Sequence, residues 1–428
     1  MLPPGAVVVA PSPAIQGRLR VPGDKSIAHR YAILASMAVG RSVIRGFAPG
    51  ADCRSTLACL EGLGVLLSRS GDVVTVIGRG PAGFSSPGRP LEAGNSGTTA
   101  RLMAGVLSGL PFSTTLTGDD SLSRRPMRRV IEPLTRMGAR FQSADARLPM
   151  TIHGGSLRAI DYAPAVPSAQ VKGAILLAGL QASGTTRVAE RQPTRNHSEL
   201  AMRRFGADIR VDGSTVLVTG GRDLTGLDVD VPGDFSSAAF WAVAAAALHG
   251  SAIEIEGVGL NQTRTGLLAI LRRAGADVTT TVETTAADEP AGRLRVAHRE
   301  LRQVVVEPEE VPGVIDELPA LAALATHGGE ITVTGAGELR LKESDRISAL
   351  VTGLRALGAD ADELADGFHV RASRRLTGGV ADSAGDHRLA MAFAVAALGA
   401  LGPTTILGAR AVDISYPGFF DVLGSLTP

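Results

Sequence analysis

The sequence predicts an α/β protein of two domains assembled from six repeated units. Apolar, Ala- and Leu-rich helical stretches begin near Ser26, Gly97, Ser168, Asp234, Asp316 and His387. They recur at intervals of roughly 70 residues, and such a fixed period marks repeat architecture. Each stretch runs to a Gly followed by a short β-branched segment, the expected punctuation of helix then strand. A longer symmetry lies above the period: Val21-Pro22-Gly23-Asp24 returns as Val231-Pro232-Gly233-Asp234.

Bulk properties set the frame. A chain of 428 residues exceeds one ordinary core, and two domains of about 200 residues are expected. Aromatic residues make up 4% and all hydrophobic residues 44%, so the core must be built from Ala, Val, Leu and Ile. Glycine is abundant, 52 residues, as many short elements joined by turns require. The 43 basic and 42 acidic residues nearly balance, without the basic excess or tail of a nucleic-acid binder. Cys53 and Cys59, the only cysteines, face different sides of an expected helix, so reduced thiols are expected rather than a disulfide or metal pair. The eight histidines show no metal-ligand spacing, and no metal or cofactor is expected. The opening MLPPGAVVVAPSPA lacks the basic start of a signal peptide. The apolar stretches Ala238–Leu248 and Leu389–Leu401 fall short of the roughly 18 residues of a membrane span. A cytoplasmic protein without a membrane partner is expected.

The elements follow in order. After the apolar helices come RSVIRGF (from Gly40), PFSTTLTG (from Gly109), TTRVAE (from Gly184), SAIEIEG (from Gly250), EITVTGAG (from Gly329) and PTTILGA (from Gly402). A second, amphipathic helix is read in five units, closing at Gly64, Gly138, Gly206, Gly275 and Gly358, with alternating strands such as DVVTVIG and TVLVTGG after it. The Pro-Gly junctions suit domain crossovers. One domain is therefore 22–231, and the other is 232–428 completed by 1–21, with crossovers near Pro22 and Pro232. A single α/β solenoid is the alternative, against which the halving argues.

Most helix openings carry residues suited to anions or protons. In Gly23-Asp24-Lys25-Ser26-Ile27-Ala28-His29-Arg30, Asp24 or Ser26 suits a cap. Lys25 in the first turn opposes the helix dipole unless an anion sits there, and Ser26 and Arg30 are i,i+4 neighbours. Gly94-Asn95-Ser96-Gly97-Thr98-Thr99-Ala100-Arg101 is a Gly-rich turn entering a helix, able to cradle phosphate or carboxylate, though not a P-loop. In Ser123-Arg124-Arg125-Pro126-Met127-Arg128-Arg129, Pro126 at the first helical position would set Arg125 at a helix entrance; a solvated face is the plainer reading. Ser168-Ala169-Gln170-Val171-Lys172 and Arg195 offer caps or hydrogen bonds to a polyol. Asp316-Glu317 opens an apolar helix. Lys342-Glu343-Ser344-Asp345-Arg346 opens an amphipathic one, where Lys342 and Arg346 at i,i+4 repel unless they share an anion, and Glu343 can shuttle protons. Asp386 suits a cap and Arg388 an anion ligand. Asp234-Phe235-Ser236 is polar without an evident site residue.

Taken together and in order, GDKSIAHR, GNSGTTAR, SRRPM, SAQVK, KESDR and GDHR resemble the 3-phosphoshikimate 1-carboxyvinyltransferases, the EPSP synthases, over essentially the whole chain. The resemblance implies an inverse α/β barrel of two domains, three βαβαββ units in each, with the active site in the interdomain cleft. It implies transfer of the enolpyruvyl group of phosphoenolpyruvate to the 5-hydroxyl of shikimate 3-phosphate by a monomer without cofactor. Lys25, Ser26, Arg30, Ser168, Ala169, Gln170, Arg195, Asp316 and Lys342 would then bind shikimate 3-phosphate. Lys25, Gly97, Arg125, Gln170, Arg346 and Arg388 would bind phosphoenolpyruvate, and Lys25, Asp316 and Glu343 would be catalytic. Ala169 stands where one branch of the family has a second serine, and Leu102, Glu338 and Ile414 also depart from that branch. UDP-N-acetylglucosamine enolpyruvyltransferases share the chemistry but place a cysteine in the loop matching roughly Pro111–Pro126, which has none here. A non-catalytic anion-binding repeat protein would not need Asp316 and Glu343 beside the basic residues.

Overall fold

A computed structural model describes residues 3–284, 289–372 and 375–427. The chain divides into two compact units, one of Gly23–Val231 with Ala286–Glu289, the other of Met1–Pro22, Pro232–Thr285 and Pro290–Pro428. Each has its own apolar core.

The Gly23–Val231 unit contains three sheets of one pattern. Leu91–Glu92 runs parallel to Ser113–Thr117, which pairs antiparallel with Met150–His153, itself antiparallel to Arg140–Ser143. Asp161–Tyr162, Thr185–Ala189, Thr215–Thr219 and Asp208–Asp212 repeat that order. So do Leu224–Thr225 and Val229–Asp230 against Ala38–Arg45, then Val73–Arg79 and Leu66–Ser70. The helices Lys25–Met37, Gly97–Ser108 and Ala169–Gly179 fill the interior. Every residue of Gly97–Ser108 is buried, and after its polar first turn and Arg101 the helix is apolar from Leu102 to Leu107. Gly105 lets this helix meet the next one at backbone distance, since an added Cβ would lie 2.3 Å from Ala174 O.

In the other unit, Val304–Val306, Ile331–Val333, Gly367–Val370 and Ala361–Leu364 form the same sheet. Another has Gln16–Leu19 parallel to Ala252–Gly259, followed by Ala291–Ala297 and Asp277–Val282. A shorter sheet joins Val7–Val9, Thr404–Leu407 and Gly379–Asp382. The residues before Pro22 thus supply two strands to a unit otherwise made of the later chain. Its interior helices are Phe235–Ala247, Leu318–Ala325 and His387–Leu398. Arg346–Ala356 packs on the last of them, with Phe393 against Gly353.

Several sequence expectations need correction. The first helix ends at Met37 and the strand begins at Ala38, so Gly40 lies inside the strand, at φ 109°, and is no helix stop. The glycines closing the amphipathic helices do take positive φ, from 83° at Gly64 to 123° at Gly138, the conformation a helix end favours. A helix at Phe419–Leu426 lies beyond the five amphipathic ones expected. Among the described residues, no helix is long and apolar enough to cross a membrane.

Candidate active site

In the Gly23–Val231 unit, four of the sequence motifs meet. Asp24 caps the first helix, its carboxylate accepting the Ile27 N–H at 2.9 Å. Lys25 is the first helical residue, and its Nζ lies 3.0 Å from Asp52 Oδ2, which offsets the cost of a cation at that end. Arg30 reaches back to the main chain of Ser26. Its Nη1 donates to Ser26 O at 2.8 Å, its Nε to Ser198 Oγ at 2.8 Å and its Nη2 to Ala169 O at 3.4 Å. Burial brings its pKa down to about 10, Glu199 working against that and Arg195 with it. The guanidinium still carries its charge at neutral pH.

Ser96 caps the second interior helix by accepting the Thr99 N–H at 3.1 Å. Ser168 does the same for the third, towards Val171 at 3.4 Å. Gln170 joins the two helices: its Oε1 accepts from Arg101 Nη1 at 2.7 Å and its Nε2 donates to Thr98 Oγ1 at 2.8 Å. Gly97 lies under this bridge, and a Cβ there would come 2.6 Å from Arg101 Nη1 and 3.5 Å from Arg125 Nη1. Arg125 is buried and donates through Nη2 to Asn95 Oδ1 at 2.6 Å and Ser121 Oγ at 3.1 Å. The helix after it begins at Arg128 with Met127 as its cap residue, so Pro126 is not its first residue. What orients Arg125 is Asn95, not a helix entrance.

The other unit gathers the carboxylates around one arginine. Arg346 is 1% exposed. Its Nε donates to Asp386 Oδ2 at 2.7 Å, its Nη2 bonds Glu343 Oε2, and its Nη1 lies 3.5 Å from Asp316 Oδ1. Burial works against its charge, but Asp386, Glu343 and Asp316 outweigh that and raise its pKa above the ordinary value. Arg388 donates through Nη1 to the main-chain carbonyl of Asp316 at 2.9 Å, and its Nε lies 3.6 Å from Asp316 Oδ1. Lys342 lies outside this helix, which starts at Arg346 with Asp345 as cap. The helical i,i+4 relation between Lys342 and Arg346 therefore does not exist; Lys342 ends the 3₁₀ turn Gly337–Leu341, half-buried.

The opening at Asp234, without an assigned residue in the sequence reading, holds one arginine between two carboxylates. Arg264 Nη2 donates to Ser236 Oγ at 2.6 Å and lies within 3.7 Å of Asp234 and 3.6 Å of Glu317, all buried. Sequence reasoning also missed Asp52, Asn95 and Arg101 as partners of the site residues. Asn95 and Arg101 stand inside the Gly-rich motif, so their place beside Gly97 was the available signal; Asp52 had none.

The sequence pattern of the EPSP synthase (3-phosphoshikimate 1-carboxyvinyltransferase) family matches residues 9–423. A 3-phosphoshikimate 1-carboxyvinyltransferase of Shouchella clausii is 46% identical over 415 residues, 96% of each chain. One from Halorhodospira halophila is 49% identical over 422 residues, covering 98% of this chain and 95% of that protein. Among solved structures, an EPSP synthase of Acinetobacter baumannii superposes with a TM-score of 0.87 at 39% identity, covering 99% of this chain and 98% of that one. The basic and acidic groups just described are thus embedded in a chain that matches throughout, and it belongs to the EPSP synthase (3-phosphoshikimate 1-carboxyvinyltransferase) family.

Proposed function

We propose that the protein transfers the enolpyruvyl group of phosphoenolpyruvate to the 5-hydroxyl of shikimate 3-phosphate, releasing inorganic phosphate. The observation that carries this reading is the grouping of two carboxylates, Asp316 and Glu343, on one buried arginine. Proton-transfer groups are there held beside cations, as a reaction of two anionic substrates demands.

In the addition step, C3 of phosphoenolpyruvate gains a proton while the 5-hydroxyl oxygen bonds to C2 and gives up its own, forming a tetrahedral ketal. In the elimination step, the C3 methyl loses a proton and the bond from C2 to the phosphate oxygen breaks. Asp316 takes the hydroxyl proton, Glu343 handles the C3 proton, and Lys25 stabilises the bridging oxygen. Ser26, Arg30, Ser168, Ala169, Gln170, Arg195 and Lys342 hold shikimate 3-phosphate, with Lys25 and Asp316. Gly97, Arg125, Gln170, Arg346 and Arg388 hold phosphoenolpyruvate, with Lys25. The one sheet order that recurs in both units supports the six-unit inverse α/β barrel that goes with this activity.

Phosphate release by the purified protein tests the reading. Release that requires both shikimate 3-phosphate and phosphoenolpyruvate is expected. Release with UDP-N-acetylglucosamine in place of shikimate 3-phosphate, and none with the latter, would overturn it.

A further inference from the structure

Lys172 is a buried cation to which the reaction assigns no part. Only 1% of its side chain is exposed. Its Nζ lies 2.7 Å from Glu190 Oε2 and 2.7 Å from Glu199 Oε1, and it donates to Thr194 O at 3.5 Å. The Thr194 hydroxyl closes the ring by bonding Glu190 Oε1. These partners belong to one stretch of chain: Glu190 follows the strand Thr185–Ala189, and Glu199 lies in the helix His197–Arg204. Arg195 is the next residue after Thr194. Lys172 itself stands one turn into the helix that opens with Ser168 and Gln170, its N–H bonded to Ser168 O at 3.0 Å. Ser198, beside Glu199, accepts from Arg30.

Burying an ammonium with two carboxylates contributes little stability over apolar packing of the same volume, and such groups are best attested as devices of specificity. Here the buried charges connect the chain on both sides of Arg195 to the helix bearing Ser168 and Gln170. We propose that Lys172 is a positioning residue: it fixes the 190–199 segment, and with it Arg195, against the first turn of the Ala169 helix, and so sets the affinity for shikimate 3-phosphate without touching it. The proposal rests on the assignment of that substrate to Ser168, Gln170 and Arg195 made above.

The test is steady-state kinetics of full-length variants beside thermal denaturation. Glu190→Gln leaves Lys172 paired to Glu199 and should fold as the parent does. In the triple variant Lys172→Met/Glu190→Gln/Glu199→Gln no carboxylate is left stranded, so it provides a folded form even if Lys172→Met alone does not fold. The expected result is a KM for shikimate 3-phosphate raised about tenfold in the triple variant and several-fold in Glu190→Gln, with kcat and the KM for phosphoenolpyruvate within about twofold of the parent. If both variants keep the parental KM for shikimate 3-phosphate, or if both substrates' KM values rise together, Lys172 is structural and the proposal fails. A parent protein that does not turn over shikimate 3-phosphate overturns the functional reading, and this inference with it.

Discussion

Arg346 donates through Nε to Asp386 Oδ2 over 2.7 Å, and neither side chain reaches solvent. The second oxygen of the same carboxylate accepts the Arg388 N–H at 2.9 Å and caps the helix His387–Leu398. One carboxylate therefore holds the Arg346 guanidinium and fixes the main chain at Arg388, two of the residues assigned to phosphoenolpyruvate. Replacing Asp386 by Ala removes the partner of Arg346 Nε and the cap of the helix His387–Leu398 while Glu343 and Asp316 still face the guanidinium, and should cost about 1–3 kcal/mol of stability, the range for a buried hydrogen-bond donor left without its acceptor. It should also raise the KM for phosphoenolpyruvate. Denaturant unfolding and steady-state kinetics measure the two effects, and unchanged stability would contradict the buried pairing.

Glu343→Gln keeps the shape of the side chain that bonds Arg346 but can no longer accept or deliver the C3 proton. A drop in kcat of roughly 10²- to 10⁴-fold is expected, the range for a positioned acid–base group. Shikimate 3-phosphate affinity, measured by calorimetry, should stay near the parental value. Near-parental turnover would remove Glu343 from the mechanism.

At Gly97, a methyl group would sit 2.6 Å from Arg101 Nη1, closer than two such atoms can approach. Gly97→Ala should push the Arg101 guanidinium off Gln170 and crowd Arg125. The expected outcome is a KM for phosphoenolpyruvate raised about tenfold, equivalent to about 1.4 kcal/mol of lost binding, with the melting temperature little changed. Equal affinity for phosphoenolpyruvate in the two proteins would argue against a site at this turn.

His29 provides a pH test. It is fully buried, its Nδ1 2.7 Å from Thr56 Oγ1. Burial first, then Lys25 and Arg30, hold its pKa well below 6.5. The folded protein thus keeps His29 neutral where the unfolded chain would bind a proton. The stability tied to this neutrality is whole above about pH 6.5 and declines as pH falls, by up to about 1.4 kcal/mol per unit. The stability difference between the parent and His29→Asn should therefore shift in the variant's favour from pH 7 to pH 5. A pH-independent difference in urea unfolding would show that His29 is not held neutral.

The legible part of the sequence was local. Asp24, Ser168 and Asp386 were readable as helix caps, because a capping side chain needs only the two or three residues that follow it. The register around Lys342 was misread for a related reason: Asp345 caps the helix and starts it late. Partners brought in by tertiary packing left no pattern. Asp52 meets Lys25 from 27 residues away, and Glu190 meets Lys172 from 18. Lys172 stood in the quoted SAQVK motif, yet its two glutamates could only be paired with it once the helices were in place.

The strand Gln16–Leu19 pairs with Ala252–Gly259, and this has a consequence for synthesis on the ribosome. At about 5–20 residues per second, roughly 12 to 50 seconds pass between the emergence of these two partners. Meanwhile the whole Gly23–Val231 stretch has emerged as continuous chain and can close its own core. A segment made before the Gly23–Val231 unit is then among the last to find its place, and removing Gln16–Leu19 would uncover a sheet edge in the later-made unit. An exposed edge of that kind invites pairing between nascent chains.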